Sequence, residues 1–320
     1  MSAQNIASMA TADLNGDGIP DLVVSGFLSS AMALLGNGDG TFQPAVQVLP
    51  FSLPDFAFGD FNRDGKLDLA SPLSIGVVAL LNLSQPPPPL TVVSAASFAA
   101  GPLAPDSIAS GFGRGFSTAT LAANSNPPPT TLGGITVTVQ DAAGAGRPAP
   151  LFLVSPGQVN FLVPVGTARG TATVTVAGGE TPVSATVTIA ASAPALFTEG
   201  STGIAAAYVT TVAADGTQTN APVFTSQSGS IAPAPINVGA PGQAYLVLFG
   251  TGFDSASAGS ASVTIQGITC QLTYAGPQSQ VAGLDQVNIL LPPSLAGTGV
   301  ASVVLTAGGT TANTAYVTIQ

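Results

Sequence analysis

The chain has 320 residues, which is room for two or three domains that each bury a core. Only 6% of its residues are charged, against roughly 25% in an ordinary soluble domain, and the net charge is −10. Five Lys and Arg leave no patch that could hold a phosphate backbone, which excludes nucleic acid as a partner. The chain has no His, which excludes Ser-His-Asp and Cys-His catalytic sites and zinc sites that contain His.

The first predicted elements are two nine-residue loops, at 13–21 and 60–68, with the same spacing of polar residues. Asp or Asn stands at positions 1, 3, 5 and 9, Gly stands at position 6, and the carbonyl of position 7 offers another oxygen. The predicted ligands are Asp13, Asn15, Asp17, Ile19 and Asp21 in the first loop, and Asp60, Asn62, Asp64, Lys66 and Asp68 in the second. Calcium prefers oxygen ligands from alternate residues of a tight loop, so two Ca²⁺ sites are predicted.

A pair of polar turns that need no metal is the alternative, because Asp, Asn and Gly are ordinary turn residues. Two copies with one ligand spacing favour calcium over that alternative. Neither loop is an EF-hand, which needs a bidentate Glu at position 12, where this chain has Val24 and Ser71.

The loops begin 47 residues apart, and the apolar stretches after them repeat as well, at 32–35 and 77–81. These stretches predict strands, and the period suits a four-stranded propeller blade. With the Gly-rich hairpin at 35–42, residues 5–83 resemble two FG-GAP repeats of the integrin-α and VCBS type. The resemblance implies calcium bound in a loop between the strands of each blade.

Two blades cannot close a ring, because a closed propeller typically has about 4–8 blades. We therefore expect a fragment of a longer propeller, or two blades that are capped by another domain or another chain. A Pro-rich linker is predicted at 84–90, since the run of Pro at 86–89 favours a semi-rigid polyproline II spacer. A ligand for a proline-recognition domain is the alternative for this run.

The rest of the chain is predicted to be all-β and duplicated. Alternating β-branched stretches predict strands at 135–139, 172–176, 185–189, 301–305 and 315–319. Landmarks recur in one order, among them Phe-Gly-x-Gly-Phe at 112–116 and 249–253 and Gln-Val-Asn at 158–160 and 286–288. Two homologous β-sandwich domains are therefore predicted, at 91–190 and 191–320.

These landmarks resemble the uncharacterised Solibacter-type C-terminal module of bacterial secreted proteins over nearly all of 91–320. The Phe-Gly-x-Gly-Phe turn and the strand after it resemble, more distantly, an IPT/TIG-type immunoglobulin-like domain. Together the resemblances imply an all-β chain: two FG-GAP propeller-type blades at 1–83, a Pro linker, and two tandem Ig-like β-sandwich domains. They also imply an extracellular or cell-surface location, although the first twenty residues show no signal peptide.

Other motifs favour structural roles. The Gly-rich stretch 111–115 lacks the ending of a phosphate loop and predicts a bend, and Cys270 in a strand pattern predicts a buried, inert thiol. Asn82 begins an Asn-Leu-Ser glycosylation signal. The amides of the two Gln-Val-Asn segments either bind a ligand or, as we favour, bond to the backbone within each sandwich; they are Gln158, Asn160, Gln286 and Asn288.

No active site is predicted. The acids beyond residue 68 are scattered and form no evident acid–base pair; they are Asp106, Asp141, Glu180, Glu199, Asp215, Asp254 and Asp285. The absence of an apolar run of 18 residues predicts no membrane span.

The favoured function is a non-enzymatic, calcium-stabilised binding or adhesion module whose partner is an unknown protein or carbohydrate. The alternatives are a structural subunit that associates with itself through uncharged β-edges, and an accessory region of a larger secreted enzyme.

Overall fold

The structure is a computed structural model that describes residues 6–26, 30–73, 76–82, 89–179, 182–200, 202–227, 229–238, 242–253 and 259–320. The chain divides into two compact units, Met1–Pro88 and Pro89–Gln320. Both units are built of strands, which confirms the all-β prediction. The helical structure in the described residues is one 3-10 turn, Pro293–Leu295. No helix in these residues is long and apolar enough to span a membrane.

The described residues of the N-terminal unit form two antiparallel sheets. The first consists of β1 (Ile6–Ala12), β2 (Asp21–Gly26), β3 (Ala31–Leu34) and β4 (Val46–Leu49), hydrogen-bonded in that order. The second consists of β5 (Ala57–Gly59), β6 (Asp68–Leu73) and β7 (Gly76–Leu80), also in chain order. The predicted strands after each loop are thus present, and β2 and β6 each lie between two neighbours.

The two sheets of this unit share a small core. Its buried members come from both sheets and from the segment between them, and they are Val23, Ala31, Leu53, Phe56 and Leu69. Alternation along β2 turns Val23 inward and leaves Leu22 and Val24 half-buried, as the two-residue period of a strand requires.

In the described residues, the first half of the C-terminal unit contains ten strands. They are β8 (Thr91–Ser94), β9 (Ile108–Phe112), β10 (Leu121–Ala122), β11 (Thr131–Leu132), β12 (Ile135–Gln140), β13 (Gly146–Pro148), β14 (Leu151–Val154), β15 (Gln158–Leu162), β16 (Gly170–Ala177) and β17 (Val183–Ile189). One sheet has the order β10-β14-β15-β9-β8, and the other has the order β11-β12-β16-β17 with β13 beside β12. Residues from both sheets, such as Phe161 and Val137, are fully buried in one shared core.

The second half contains twelve strands in the part of it that the structure describes. They are β18 (Ala195–Leu196), β19 (Ala207–Val212), β20 (Gln218–Pro222), β21 (Phe224–Gln227), β22 (Ser230–Pro233), β23 (Gln243–Thr251), β24 (Ser262–Ile265), β25 (Ile268–Pro277), β26 (Asp285–Leu290), β27 (Gly299–Ala307), β28 (Thr310–Thr311) and β29 (Ala315–Ile319). Strand β25 joins two halves of one large sheet, because its first residues pair with β24 and its later residues pair with β26. This half has a hydrophobic core of its own, with Leu246, Ile289 and Val303 among its members.

The sequence landmarks occupy corresponding places in the two halves. The Gln-Val-Asn segments form the start of β15 and the middle of β26. Each lies between the strand that precedes it and the strand that contains the first Phe of the Phe-Gly-x-Gly-Phe landmark. All five predicted alternating stretches are strands: β12, β16, β17, β27 and β29. The Ig-like assignment of the two halves and their exact boundaries stay predictions. Most of the predicted linker at 84–90 lies outside the described residues.

Candidate metal-binding loops

The first loop, which connects β1 to β2, is closed by its own side chains. Asp13 Oδ1 accepts the backbone N–H groups of Gly16 (2.7 Å) and Asp17 (3.2 Å), and Asp13 Oδ2 accepts that of Gly18 (2.9 Å). Because three amides converge on one carboxylate, Asp13 determines the path of the backbone through the first six positions.

Positions 3, 5 and 7 of the first loop are linked in the same way. Asn15 Oδ1 accepts the N–H of Asp17 at 3.1 Å, and Asp17 Oδ1 accepts the N–H of Ile19 at 2.8 Å. The side-chain amide of Asn15 also donates to Asp17 Oδ2 at 2.8 Å. The oxygens of positions 1, 3 and 5 are therefore gathered on one short segment of backbone.

The second loop, which connects β5 to β6, repeats this pattern. Asp60 accepts the N–H groups of Asp64 and Gly65, both at 3.0 Å. Asn62 Oδ1 accepts the N–H of Asp64, Asp64 Oδ1 accepts the N–H of Lys66, and the Asn62 amide donates to Asp64 Oδ2. The two loops thus share most of these hydrogen bonds as well as their sequence spacing.

Glycine at position 6 is required by backbone geometry in both loops. Gly18 and Gly65 have φ of 80° and 84°, in the left-handed region that the sequence predicts there. An added Cβ at either residue would meet no atom within 4 Å, so the constraint is conformational rather than steric. Position 4 is also left-handed, with Gly16 at φ 76° and, in the second loop, Arg63 at φ 64°.

Asp21, at position 9 of the first loop, is fully buried and holds two backbone segments together. Its Oδ2 accepts the N–H of Leu14 and its Oδ1 that of Gly36, both at 2.8 Å. Burial raises the pKa of Asp21 above its usual value, and repulsion from Asp17 and Asp13 adds to this effect. A cation near the loop would favour the charged form of this carboxyl.

Asp68 occupies position 9 of the second loop. It bonds to Asn82, a residue that the ligand pattern did not include. Its carboxylate accepts the N–H of Phe61 at 2.9 Å and the N–H of Asn82 at 2.7 Å. The side-chain amide of Asn82 donates to the carbonyl of Leu14 in the first loop (2.6 Å) and to that of Leu67 in the second (3.2 Å). Asn82 therefore links the two loops, and its amide nitrogen, which belongs to the glycosylation signal, donates to backbone carbonyls in both of them.

The two loops also line one cavity of about 370 Å³. Residues 13–16 form one side of it, and residues 64–67 form the other. Carboxylates of both loops, those of Asp13 and Asp64, lie at this cavity. A cation bound at one loop would therefore also reduce the repulsion felt at the other.

The donor chemistry of each loop suits calcium, because the predicted ligands are oxygen atoms only. Asp13 Oδ2, Asn15 Oδ1 and Asp17 Oδ1 each accept one hydrogen bond, which leaves each oxygen a lone pair for a cation. Within the described residues, no three His, Cys, Asp or Glu side chains form a group placed to hold a metal. The carboxylates of the two loops instead accept hydrogen bonds from backbone N–H groups. Calcium binding by the ten named residues therefore stays a prediction.

The interpretation of the Gln-Val-Asn amides needs correction. We favoured bonds from these amides to the backbone, but the structure shows that they bond to each other. Gln158 Nε2 donates to Asn160 Oδ1 at 2.8 Å, and Gln286 Nε2 donates to Asn288 Oδ1 at 2.7 Å. The physical reason is that residues two apart project from the same face of a strand, where the backbone groups already pair with neighbouring strands.

The remaining motifs have the structural roles that the sequence predicted. Cys270 is buried, and burial raises the pKa of its thiol. The N–H of Gly113 bonds to the carbonyl of Gly157 in the bend after β9. Asp215 accepts the N–H of Thr217 in the β19–β20 turn.

Two other acids of the C-terminal unit also have structural partners. Asp141 bonds to Arg147 and to three backbone amides, and the amide of Ala168 is the main cause of a lowered pKa. Asp285 is buried and accepts the N–H of Phe253. Glu180 and Asp254 lie outside the described residues.

A comparison with known protein families found a match for the region that contains the two loops. Residues 13–71 match the FG-GAP-like repeat family, and the match begins at position 1 of the first loop and ends just beyond the second. No curated protein sequence matches the chain. The predicted FG-GAP resemblance is confirmed over these residues, while the Solibacter-type and Ig-like resemblances of the C-terminal unit stay predictions.

Proposed function

We propose that the chain is a non-enzymatic, calcium-stabilised binding or adhesion module that acts outside the cell or at its surface. The observation that carries this proposal is the pair of loops with one hydrogen-bond pattern, inside the segment that matches an FG-GAP-like repeat. FG-GAP repeats are typical of extracellular proteins, which supports the location. Three acids of the C-terminal unit, Asp141, Asp215 and Asp285, accept hydrogen bonds from backbone N–H groups, which supports a structural role for them.

Each loop would hold one Ca²⁺ through its oxygens at positions 1, 3, 5, 7 and 9. Bound calcium would neutralise the three carboxylates of a loop and connect the start of the loop to the strand that follows it. The chain itself contributes the left-handed glycine at position 6 and the Asn82 bridge, which also help to set the conformation of the two loops.

Calcium should raise the melting temperature of the full chain relative to the same protein in chelator. At a free concentration 100 times the dissociation constant, each ion contributes about 2.7 kcal/mol. Titration calorimetry should give two ions per chain, and Asp17→Asn and Asp64→Asn should each weaken the binding of one of them, because each removes a negative charge from one loop. These substitutions keep the side-chain shape and remove one negative charge.

Asp39→Asn is the matched control, because Asp39 lies in the same unit and binds Thr41 in a turn outside both loops. This variant should keep both ions. Identical melting in calcium and in chelator would exclude calcium stabilisation, and loss of an ion in Asp39→Asn would place the site elsewhere.

A structural subunit that associates with itself is the second candidate, and the edge at β7 favours it. In the described residues β7 pairs only with β6, whereas the first sheet has a fourth strand at the corresponding edge. The sequence of β7 is Gly-Val-Val-Ala-Leu, without a charge, and Val77 is 77% exposed. An uncharged, unpaired edge can add a strand from another chain.

A further inference from the structure

Each half of the C-terminal unit has an outer sheet face on which amide and aromatic side chains meet. On the first face, Gln158 and Asn160 point away from the core, because the alternate residues Val159 and Phe161 are fully buried. Gln158 lies directly opposite Phe112 of the neighbouring strand. The ring of Phe98 lies 6.1 Å from the Phe112 ring, at an interplanar angle of 49°. We call Phe98, Phe112, Gln158 and Asn160 the first amide–aromatic face.

The second half repeats this arrangement. Gln286 and Asn288 alternate with buried residues, and Gln286 lies directly opposite Phe249. The Tyr208 ring lies 5.9 Å from that of Phe249, at an interplanar angle of 47°. We call these four residues the second amide–aromatic face. Tyr274 borders it, since it lies opposite Asn288 on the other neighbouring strand.

The rings that pack against Phe112 and Phe249 do not come from equivalent backbone positions in the two halves. Tyr208 lies in strand β19, whereas Phe98 follows the equivalent strand β8 in a turn. Phe98 is 60% exposed and has φ 52°, a left-handed conformation that is unusual for a bulky residue. Core packing does not account for a large exposed ring on strained backbone, and such strain is often found at binding sites.

Both faces are electrically neutral. In the described residues, the fifteen strands of the two sheets that carry them contain one charged residue, Asp285, which is buried and bonded to the N–H of Phe253. A charged ligand would lose its hydration at such a surface without gaining a partner of opposite charge. A neutral ligand that offers both apolar and hydrogen-bonding groups is the chemistry that these faces match.

We propose that the two amide–aromatic faces bind a neutral polysaccharide. A sugar ring presents a flat C–H surface, which an aromatic ring can cover, and a rim of hydroxyl groups, which amides can bind. The amide pair uses the Gln nitrogen and the Asn oxygen, so the Gln oxygen and the Asn nitrogen are not spent within the pair. This inference rests on the proposed binding function and names its ligand class.

Two faces on one chain should make binding to long polymers tighter than binding to short ones. Each face alone offers two rings and two amides, so its affinity for a short oligosaccharide should be modest. A polymer that reaches both faces converts the second contact into an intramolecular one, which raises the apparent affinity without any new contact.

The test is NMR titration of the full chain with neutral hexasaccharides of β-1,4-linked glucose, xylose, mannose or N-acetylglucosamine and of α-1,4-linked glucose. At least one of these probes should shift the side-chain amide signals of Gln158, Asn160, Gln286 and Asn288. A hexamer of galacturonate, which is anionic, should shift them less. The inference is wrong if no neutral probe shifts either amide pair, or if the anionic probe binds as well as the best neutral one.

Substitutions separate the two faces. Phe98→Gly removes the exposed ring and relieves its left-handed strain, so the protein should remain at least as stable while sugar binding at the first amide pair weakens about threefold to tenfold. Shifts at Gln286 and Asn288 should persist in this variant. Tyr274→Ala should weaken binding at the second pair by a similar factor.

Tyr316→Ala is the matched control for Tyr274→Ala, since both tyrosines are 41% exposed and Tyr316 lies in β29, away from both faces. This control should bind sugar like the parent protein. Equal binding by Phe98→Gly, Tyr274→Ala and the parent would overturn the inference. A chain that gains stability from calcium but binds none of the sugars would lose this inference and keep the calcium part of the proposed function.

Discussion

Arg63 occupies a backbone conformation that its side chain disfavours. It stands at position 4 of the second loop with φ 64°, where the first loop has Gly16. A residue with a Cβ is less stable in the left-handed region by about 1–2 kcal/mol, and glycine avoids this penalty. The second loop therefore carries strain that the first loop does not.

Arg63→Gly should stabilise the N-terminal unit by about 1 kcal/mol relative to Arg63→Ala. Both substitutions remove the same charged side chain, so the difference between them isolates the backbone. The measurement is pulse hydrogen exchange of peptides from residues 57–73 of the full chain across a urea series. Equal midpoints for the two variants would show that the loop relaxes around a Cβ at this position.

The glycines at position 6 could be predicted at the residue scale, whereas Arg63 could not. A sharp turn after three alternating oxygen ligands requires positive φ, and Gly18 and Gly65 satisfy that rule. Nothing in the side chain of Arg63 signals a left-handed residue. Its conformation follows from the hydrogen bonds of Asp60 and Asn62 around it, which exist only once the loop has closed.

The strands were predictable at the element scale because their signal is local. Two-residue alternation of β-branched residues places one face in the core, and the stretches at 135–139 and 301–305 form β12 and β27 accordingly. The change of partner along β25 was not predictable, since its pattern continues through the point where pairing passes from β24 to β26. The partner of a strand is decided by packing at long range.

Asn82 shows the same limit for the candidate site. Its amide binds Leu14, which is 68 residues away in the chain, so no local pattern marks it. Spacing identified the residues within each loop, and it could not show what holds the two loops together.

Asn82→Ala should loosen both loops at once. The carbonyls of Leu14 and Leu67 would lose a donor, which costs about 1 kcal/mol for a hydrogen bond of this kind. Hydrogen exchange of the full chain should become faster in peptides that cover 13–21 and 60–68.

Asn37→Ala is the control for this substitution, because the Asn37 amide donates only within an exposed hairpin, to Thr41 Oγ1. Its effect should be confined to the hairpin. If Asn82→Ala changes exchange in the second loop alone, the link to the first loop contributes no stability.

At the scale of the whole molecule, the low charge content leaves few charged side chains that could oppose the addition of a strand from another chain. Charged side chains at an edge strand normally oppose pairing with another chain. Edge strands β4 and β7 contain none, and Val46 and Val77 are 63% and 77% exposed. These edges make the oligomeric state the property that separates the two candidate functions.

A sizing column with light scattering would measure that state for the full chain, in calcium and in chelator. A mass near 31.2 kDa in both solutions indicates a monomer and favours the binding module. Large assemblies would favour the structural subunit, and Val77→Lys should then dissolve them, because a lysine on β7 makes its edge unfavourable for a new strand. Val165→Lys is the matched control, since Val165 is 71% exposed in a turn rather than at an edge, and it should leave assemblies unchanged. Assemblies that persist in Val77→Lys and disappear in chelator would place the contact at the calcium loops instead of β7.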